Sequence, residues 1–413
     1  MAIAMFCLGL QACNEPVKEP YNPSEKPTPK PEPEEPDKPE EPKDSVLITT
    51  DNAHELLVDN KATDEVVALF YNLSQVAKKG TIVGQQDGYS RRATDNVKGF
   101  SAETDLYLTT GCRPMVSGED LQFLTDDKNT FEFNNWYHQQ MQETKESVVK
   151  SYELGVFTSF SWHFREPYDG KVFYTKDMSE TSKKKAFKSL LEGGENHDYY
   201  KQKLTLIADF FKSFKDSDGE LVPVIFRPFH EMEGSWFWWG IPHYATPAEY
   251  KQVWQFTVEY LRDECDVHNV LYAFSPDKNF TTEAGYLTCY PGDEYVDIIG
   301  FDTYEDYSKG EQARLKTVSQ LRIVDGLAKQ RGKVAAMTEC GYDLKKPKIE
   351  KLYSELYYSI LEESGANIAY MMFWWGFLPT QETDPALASD LRLFFRKDRI
   401  LSEYNLESLF VLK

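Results

Sequence analysis

The sequence lacks the features of a membrane-embedded or nucleic-acid-binding protein. It contains no run of about 20 apolar residues, so it predicts no membrane-spanning helix. Basic residues are the minority, with 46 Lys and Arg against 67 Asp and Glu, for a formal net charge of −21. Because nucleic acids and anionic membrane surfaces attract a basic face, this balance argues against either as the main partner. A glycine-rich phosphate loop is also missing, since residues 84–88 do not have the G-x-G-x-x-G spacing.

Cysteine is scarce, with six residues in a chain of 413. No C-x-x-C pair occurs, which argues against a zinc ribbon or a thioredoxin-like site. Four of the cysteines, Cys112, Cys265, Cys289 and Cys340, fall in the part of the chain that we expect to fold. In an exported domain they could form one or two disulfides, but a large core does not need such cross-links. Buried free thiols are therefore equally compatible with the sequence.

Aromatic residues, in contrast, make up 14% of the chain, and hydrophobic residues make up 41%. A disordered protein would lack those aromatics, so the sequence predicts a sizeable core. At about 150 residues per domain the length suggests two or three domains, although an α/β barrel can use about 250 or more residues as a single unit.

The first 45 residues are unlike the rest. Residues 1–13 read MAIAMFCLGLQAC, a short apolar run that ends at Cys13 and resembles a bacterial lipobox, although no basic residue precedes it. Residues 14–45 hold 10 of the 21 prolines together with many charges, a composition typical of an extended, disordered spacer. We expect an exported protein with a lipid on Cys13, anchored to the bacterial cell envelope and touching a membrane only through that lipid.

Eight short apolar or β-branched runs alternate with amphipathic stretches in residues 46–413, which we expect to form one catalytic domain. This alternation favours an α/β fold, a (β/α)₈ TIM barrel with an extra helix at residues 64–79; a doubly wound sheet is the second possibility. A barrel builds its active site at the carboxyl ends of its strands. The predicted strands are residues 81–84, 113–118, 155–162, 221–229, 269–275, 296–302, 333–339 and 368–374.

The most informative stretch is residues 226–240, which read FRPFHEMEGSWFWWG. A predicted strand ends at His230 and Glu231, and four large aromatic rings follow in a glycine-flanked loop. Such rings either pack or bind a ligand, and the apolar C–H face of a sugar is a suitable partner. A second carboxylate, Glu339, ends the seventh predicted strand. Two opposed carboxyl groups are what glycoside hydrolysis requires, although either one alone could make a structural salt bridge.

These residues carry a resemblance to a known family. The 226–240 string, Glu339, the Trp374-Trp375 pair and the stretch 300–304 together resemble glycoside hydrolase family 26, chiefly β-mannanases. The resemblance covers most of residues 46–413 and implies a retaining (β/α)₈ enzyme that cleaves β-1,4-mannosidic linkages in mannan, glucomannan or galactomannan. It implies no metal or other cofactor.

The same resemblance implies roles for individual residues. Glu231 matches the general acid/base and Glu339 matches the nucleophile. Tyr304 matches a tyrosine that hydrogen-bonds the nucleophile, and it is one of a larger group of expected substrate-binding residues. That group comprises Trp162, His163, His230, Trp236, Asp302, Tyr304 and Trp374.

Two alternatives stay open at this point. An enzyme of the same family could act on xylan or mixed-linked β-glucan, and a non-catalytic surface lipoprotein could use the same aromatic residues to capture a glycan. The expected partner is in each case a polysaccharide and not a nucleic acid, and the protein is expected to be a monomer. The sequence does not distinguish endo from exo action, and it leaves open whether the charged segment 165–196 closes one end of a cleft.

Overall fold

The computed structural model describes residues 45–90, 99–170 and 172–412. The predicted signal at residues 1–13, with Cys13, lies outside the described residues, as does nearly all of the predicted spacer at residues 14–45. Those predictions therefore stay predictions.

Eight parallel strands close into a barrel, because β1 pairs with both β2 and β8. Each of the eight predicted strands overlaps an observed one, so the (β/α)₈ prediction is confirmed and the doubly wound alternative is wrong. The described residues add a ninth, two-residue strand beside β1. The strands are β1 Thr81–Gln86, β2 Val116–Asp120, β3 Phe157–Ser161, β4 Val224–Arg227, β5 Val270–Phe274, β6 Ile298–Thr303, β7 Val334–Cys340, β8 Tyr370–Phe373 and β9 Ile400–Leu401.

Helices follow the strands and cover the outside of the barrel. Within the described ranges they are α1 Asp64–Lys79, α2 Asp105–Thr110, α3 Gln122–Thr125, α4 Trp136–Glu153, α5 Glu180–Lys185, α6 His197–Lys212, α7 Pro247–Glu259, α8 Glu283–Tyr286, α9 Glu311–Arg331, α10 Tyr358–Ser364 and α11 Pro385–Phe394. Wider π-type turns, Tyr260–Glu264 and Leu352–Tyr357, extend α7 and precede α10. No helix in the described part of the chain is both long enough and apolar enough to cross a bilayer.

Local sequence signals account for where several helices begin. Helix α1 has the predicted bounds: the Thr63 side chain accepts a hydrogen bond from the Val66 N–H at its start, and two lysines lie in its last turn. Helix α7 begins with a capping box, in which Thr246 and Glu249 bond each other's backbone N–H, and Pro247 occupies the first turn.

Helix α1 covers the amino-terminal end of the barrel. It contacts β1, β5 and β7, which lie on different sides of the barrel, and its apolar residues pack in one cluster with inward-facing strand residues. That cluster includes Leu69, Phe70, Ile225, Leu271 and Met372. The carboxyl ends of the strands lie at the opposite end, where the loops can form a site.

A register shift between β6 and β7 adjusts that end of the barrel. Pairing is regular up to Phe301, after which Asp302 lies opposite Glu339 instead of Thr338. The extra residue in β7 is a β-bulge, a device that re-aims side chains near active sites. It brings the Asp302 and Glu339 carboxyl groups beside each other at the barrel mouth.

The segment between β3 and α6 folds into short turns, Thr175–Asp177, α5 and Lys188–Leu190. Tyr174 in this segment forms an antiparallel bridge with Phe237, so the segment is tied to the aromatic loop that follows β4. The four cysteines in the described residues are free, which decides between the two alternatives in favour of thiols.

Candidate active site

Glu231 lies on irregular backbone just beyond β4. Phe229 and Glu231 both have positive φ, 51° and 53°, a region that residues with a side chain rarely adopt. Hydrogen bonds fix this turn: Glu231 N–H donates to the Ser275 carbonyl at 2.9 Å, and the Trp239 indole N–H donates to the His230 carbonyl at 2.8 Å. The buried rings of the loop therefore hold a strained turn in place, and strain of this kind is concentrated at functional sites.

Glu339, by comparison, lies in strand β7 at the β-bulge and faces Glu231 across the barrel mouth. One carboxylate oxygen from each of Glu231, Asp302 and Glu339 lies within 4.8 Å of the others. The sequence thus predicted correctly that the two glutamates come together.

The Glu339 carboxylate is held by charged and polar groups. The guanidinium of Arg227 donates to its Oε1, and the Tyr304 hydroxyl donates to its Oε2 at 2.7 Å. Arg227 is completely buried and also donates to both oxygens of Asp302 at 3.2 Å and to the Ser275 hydroxyl at 2.9 Å. A carboxylate bonded by a guanidinium and a phenol is stabilised as the anion and fixed in orientation.

Asp302 forms the floor below these groups. It accepts a hydrogen bond from the Thr338 hydroxyl at 2.8 Å in addition to those from Arg227. Burial raises the pKa of the Asp302 carboxyl, Arg227 opposes this effect, and the charge of Glu339 adds to it. Acidic groups outnumber the single guanidinium, so one of them must be protonated to keep the buried charge small.

Glu231 is the group best placed to keep its proton. Its carboxyl group accepts a hydrogen bond from the Trp236 indole N–H at 2.8 Å. Burial raises the pKa of Glu231 to about 8, the negative charges of Glu339 and Asp277 contribute, and the Trp236 hydrogen bond works against them. Glu231 can therefore keep its proton at near-neutral pH and act as a proton donor, while Glu339, oriented by Arg227 and Tyr304, can act as a nucleophile.

Two histidines whose pKa values are shifted in opposite directions lie beside the carboxyl groups, with ring centroids 4.8 Å apart. Burial disfavours the charged form of His163, but Asp120, bonded to its Nδ1, more than compensates and raises the pKa of His163. Burial, with the charges of His163 and Arg227, lowers the pKa of His230 well below its usual value. His230 is therefore neutral, and among the described residues none bonds to its buried Nδ1.

These groups surround a cavity of about 400 Å³ that opens to solvent. Aromatic rings form much of its wall, and Phe237 stacks on Trp239 with centroids 4.3 Å apart. The lining residues are His163, Tyr174, His230, Glu231, Phe237, Tyr304, Glu339, Asp343, Lys346, Trp374 and Phe377.

A model of the family described as glycosyl hydrolase family 26 matches residues 58–397. The chain belongs to glycosyl hydrolase family 26. The resemblance noted in the sequence is thereby confirmed.

Curated relatives in this family carry one name. A mannan endo-1,4-beta-mannosidase of Bifidobacterium adolescentis is 35% identical over 332 residues, which is 77% of this chain and 32% of that protein. A mannan endo-1,4-beta-mannosidase of Bacillus subtilis is 30% identical over 163 residues, 38% of this chain and 42% of that protein. The chain thus spans between about a third and two fifths of the length of these relatives.

Solved structures of the family have the same fold. GH26C from Muricauda sp. MAR_2010_75 is 40% identical and superposes with a TM-score of 0.85, covering 89% of this chain and 99% of that one. A GH26 beta-mannanase from Bacteroides ovatus is 28% identical with a TM-score of 0.75, covering 85% of this chain and 98% of that one.

Most of the predicted site residues of this family 26 protein meet at the cavity. His163, His230, Tyr304 and Trp374 line it with the two glutamates, and Trp236 lies at its rim, bonded to Glu231. That these residues bind substrate stays a prediction.

Two of the predicted substrate contacts need correction. Trp162 is only 1% exposed; it stacks on Phe164 at 4.2 Å and donates to the Thr125 hydroxyl at 2.8 Å. Successive residues of extended chain point to opposite sides, so Trp162 packs in the core where His163 faces the cavity. Asp302 is fully buried beneath the carboxyl groups and is occupied by Arg227 and Thr338, so it supports the site without lining the cavity.

The sequence also contained functional residues that we did not identify. Arg227 was assigned no function from the sequence. An arginine inside a buried strand must pair with an acidic group, and a carboxylate at the end of a neighbouring strand is a suitable partner. Asp120, at the end of β2, was overlooked as well, because nothing local indicates that it bonds His163.

The clustered carboxylates of Glu231, Asp302 and Glu339 have a spacing that a cation could bridge. Two of the three already receive a positive charge from Arg227. Arg227 therefore supplies positive charge that balances these buried carboxylates, a task that a bound cation could otherwise perform.

Proposed function

We propose that this protein hydrolyses β-1,4-mannosidic linkages in mannan, glucomannan or galactomannan, with retention at the anomeric carbon. One observation carries the proposal: oxygens of the Glu231 and Glu339 carboxyl groups lie within 4.8 Å of each other in opposite surroundings. Retaining glycosidases have carboxyl groups about 5–5.5 Å apart, whereas inverting ones need about 6.5–9.5 Å to admit a water molecule.

In the first step, Glu339 attacks the anomeric carbon and forms an ester bond to the sugar. The glycosidic C–O bond breaks as Glu231 gives its proton to the leaving oxygen. Arg227 and Tyr304 keep the attacking carboxylate in one orientation. The neutral form of Glu231 persists up to a pH of about 8, because its pKa is raised to that value.

In the second step, Glu231 accepts a proton from water, and the resulting hydroxide oxygen attacks the anomeric carbon and releases Glu339. Esterification removes the negative charge of Glu339, which is one of the causes of the raised pKa of Glu231. Glu231 therefore becomes a stronger acid once the intermediate has formed, and it can act as the base that this step requires.

The surrounding residues suit a neutral, hydroxyl-rich substrate. His230, whose pKa is lowered well below its usual value, presents a neutral ring to the cavity. Trp374, which is partly exposed and lines the cavity, offers its ring to sugar C–H groups. The names of the curated relatives, mannan endo-1,4-beta-mannosidases, favour a mannan backbone over xylan or β-glucan.

The test is reducing-sugar release from mannan, xylan and mixed-linked β-glucan in parallel, with Glu339→Ala as the inactive control. We expect release from mannan and none from the control. Proton NMR at early times should show the β anomer first. Preferential cleavage of xylan or β-glucan would reject the substrate, and initial α anomer would reject retention.

We propose in addition that the protein is lipid-anchored through Cys13 to the bacterial cell envelope and acts as a monomer. The lipobox-like residues 10–13 and the proline-rich spacer that follows support the anchor. Wild-type protein should fractionate with membranes and Cys13→Ala should not. Equal partition of the two proteins would reject the anchor, and light scattering would test the monomer.

A further inference from the structure

A second cavity of about 160 Å³ adjoins the catalytic one, and the two share His163, Tyr174 and Trp374. Its wall is polar, with contributions from the end of β2 and from helix α4. Gln140, Glu143 and Thr144 are the α4 residues that line it, and the Gln140 amide donates to the Glu143 carboxylate at 3.2 Å. Side-chain amides and carboxylates suit a ligand that is rich in hydroxyl groups.

Trp136 extends this wall beyond the cavity. Residues four, seven and eight positions apart share one face of a helix, so Trp136 lies on the same α4 face as Gln140, Glu143 and Thr144. Its ring is 46% exposed, and it contacts Phe123, another residue of the cavity wall, edge-on with centroids 4.9 Å apart. Tyr137 supports it from a second direction at 5.1 Å. The indole therefore packs against a wall residue of the second cavity, at the start of the helix that contributes to that wall.

The loop in front of α4 is held rigidly. Phe131 has a positive φ of 60°, which is unusual for a bulky residue, and its N–H donates to the buried Asn129 side chain at 3.1 Å. Asn135 caps α4 and also bonds the Lys128 carbonyl at 2.9 Å. A rigid support reduces the entropy that is lost when a ring such as Trp136 binds a ligand.

We infer that Trp136 forms an additional sugar-binding subsite, on which a β-linked hexopyranose unit stacks when the polysaccharide runs from the catalytic carboxyl groups through the second cavity. This inference rests on the proposed function. Continuity of the two cavities identifies the occupant as the same sugar chain. The stack on Trp136 adds affinity for long chains and contributes nothing to chains too short to reach it.

The experiment compares Trp136→Ala with Phe133→Ala as a matched control. Phe133 lies in the loop in front of α4 and is 90% exposed, but it is not on the α4 face that forms the wall. Affinity electrophoresis in gels containing soluble mannan measures binding without requiring turnover. We expect Trp136→Ala to lose most of the retardation that wild-type protein shows, while Phe133→Ala and Trp136→Phe keep most of it.

Kinetics supply the second readout. Loss of a stacking residue should lower kcat/KM about five- to tenfold on mannohexaose and on mannan, mainly through KM, and by less than about twofold on an aryl mannobioside. Equal retardation of wild type and Trp136→Ala, or equal loss in Phe133→Ala, would overturn the inference. A wild-type protein that binds mannan but cleaves none would reject the proposed function and leave the electrophoresis to decide on Trp136.

Discussion

The two glutamates at the barrel mouth lie in contrasting surroundings. Glu339 belongs to strand β7 and is bonded by a guanidinium and a phenol, whereas Glu231 lies on a strained turn beyond β4 and is bonded by an indole N–H. The first environment stabilises a carboxylate anion, and the second favours a neutral carboxyl group, with a pKa raised to about 8 by burial and neighbouring charge. The same side-chain chemistry therefore acquires two functions from its surroundings.

Replacement of Glu339, the glutamate on the strand, should cause the largest loss of activity. Glu339→Ala removes the nucleophile, and we expect kcat/KM on mannan to fall by about 10⁴-fold or more. Addition of azide should not restore the retained product. A residual activity within tenfold of wild type, measured with purified protein, would show that Glu339 does not act as proposed.

Replacement of Glu231, the glutamate on the turn, should lower activity by an amount that depends on the leaving group and on pH. Glu231→Gln removes the proton donor, and we expect a loss of about 10²–10⁴-fold on mannan. The loss should be smaller on an aryl mannobioside with a good leaving group, since that oxygen needs no proton. The fall in wild-type kcat/KM as the pH rises through about 8 should disappear in the variant. If this alkaline limb of the pH profile persisted in the variant, a group other than Glu231 would be responsible for it.

Stability should change in the opposite direction to activity at this position. The unfolded chain ionises Glu231 above its usual pKa of 4.5, whereas the folded protein holds the proton up to about 8. Folding is therefore penalised progressively as the pH rises between these values. Glu231→Gln should be more stable than wild type by on the order of 3 kcal/mol at pH 7 and about equally stable below pH 4.5. Urea unfolding at the two pH values checks this.

Arg227 should contribute to the stability of the fold as well as to the active site. Its replacement by Met leaves Asp302 and Glu339 buried without their cation, so we expect a loss of about 3–5 kcal/mol in the free energy of unfolding. Activity should fall at least about 10²-fold, because Glu339 loses its orientation. Lys351→Met, which removes an exposed ion pair with Glu355, should leave the free energy of unfolding nearly unchanged. Similar losses of unfolding free energy in the two variants would contradict a special contribution of the buried contacts that Arg227 makes with Asp302 and Glu339.

The contrast between strand and turn also explains what could be predicted from the sequence. Strand and helix periodicity identified the eight strands and the bounds of α1 and placed both glutamates at strand ends, and the resemblance implied their roles. The β-bulge beside Asp302 and the positive φ of Glu231 are set by contacts with distant strands and loops, which no local pattern encodes. Trp162 was expected to bind substrate through the resemblance, but neighbouring residues of extended chain point to opposite sides, and Trp162 packs in the core beside the cavity-lining His163.

The smallest expected effects test the cause of the raised pKa of Glu231. Asp277→Asn removes a negative charge near Glu231, so the pKa should fall and the alkaline limb of kcat/KM should move to lower pH. Trp236→Phe removes a hydrogen bond that favours the ionised form, so the same limb should move to higher pH. Losses at the optimum should stay below about tenfold for both variants.

Asn279→Ala serves as the control, because Asn279 bonds Asp277 but carries no charge. Its limb should stay at the wild-type position if charge, and not the local hydrogen-bond network, sets the pKa of Glu231. Shifts in the same direction for Asp277→Asn and Trp236→Phe would mean that a general loosening of the turn controls the limb. Opposite shifts would show that the turn keeps its proton through a balance of two identified contacts, in contrast to the firmly anchored anion on the strand.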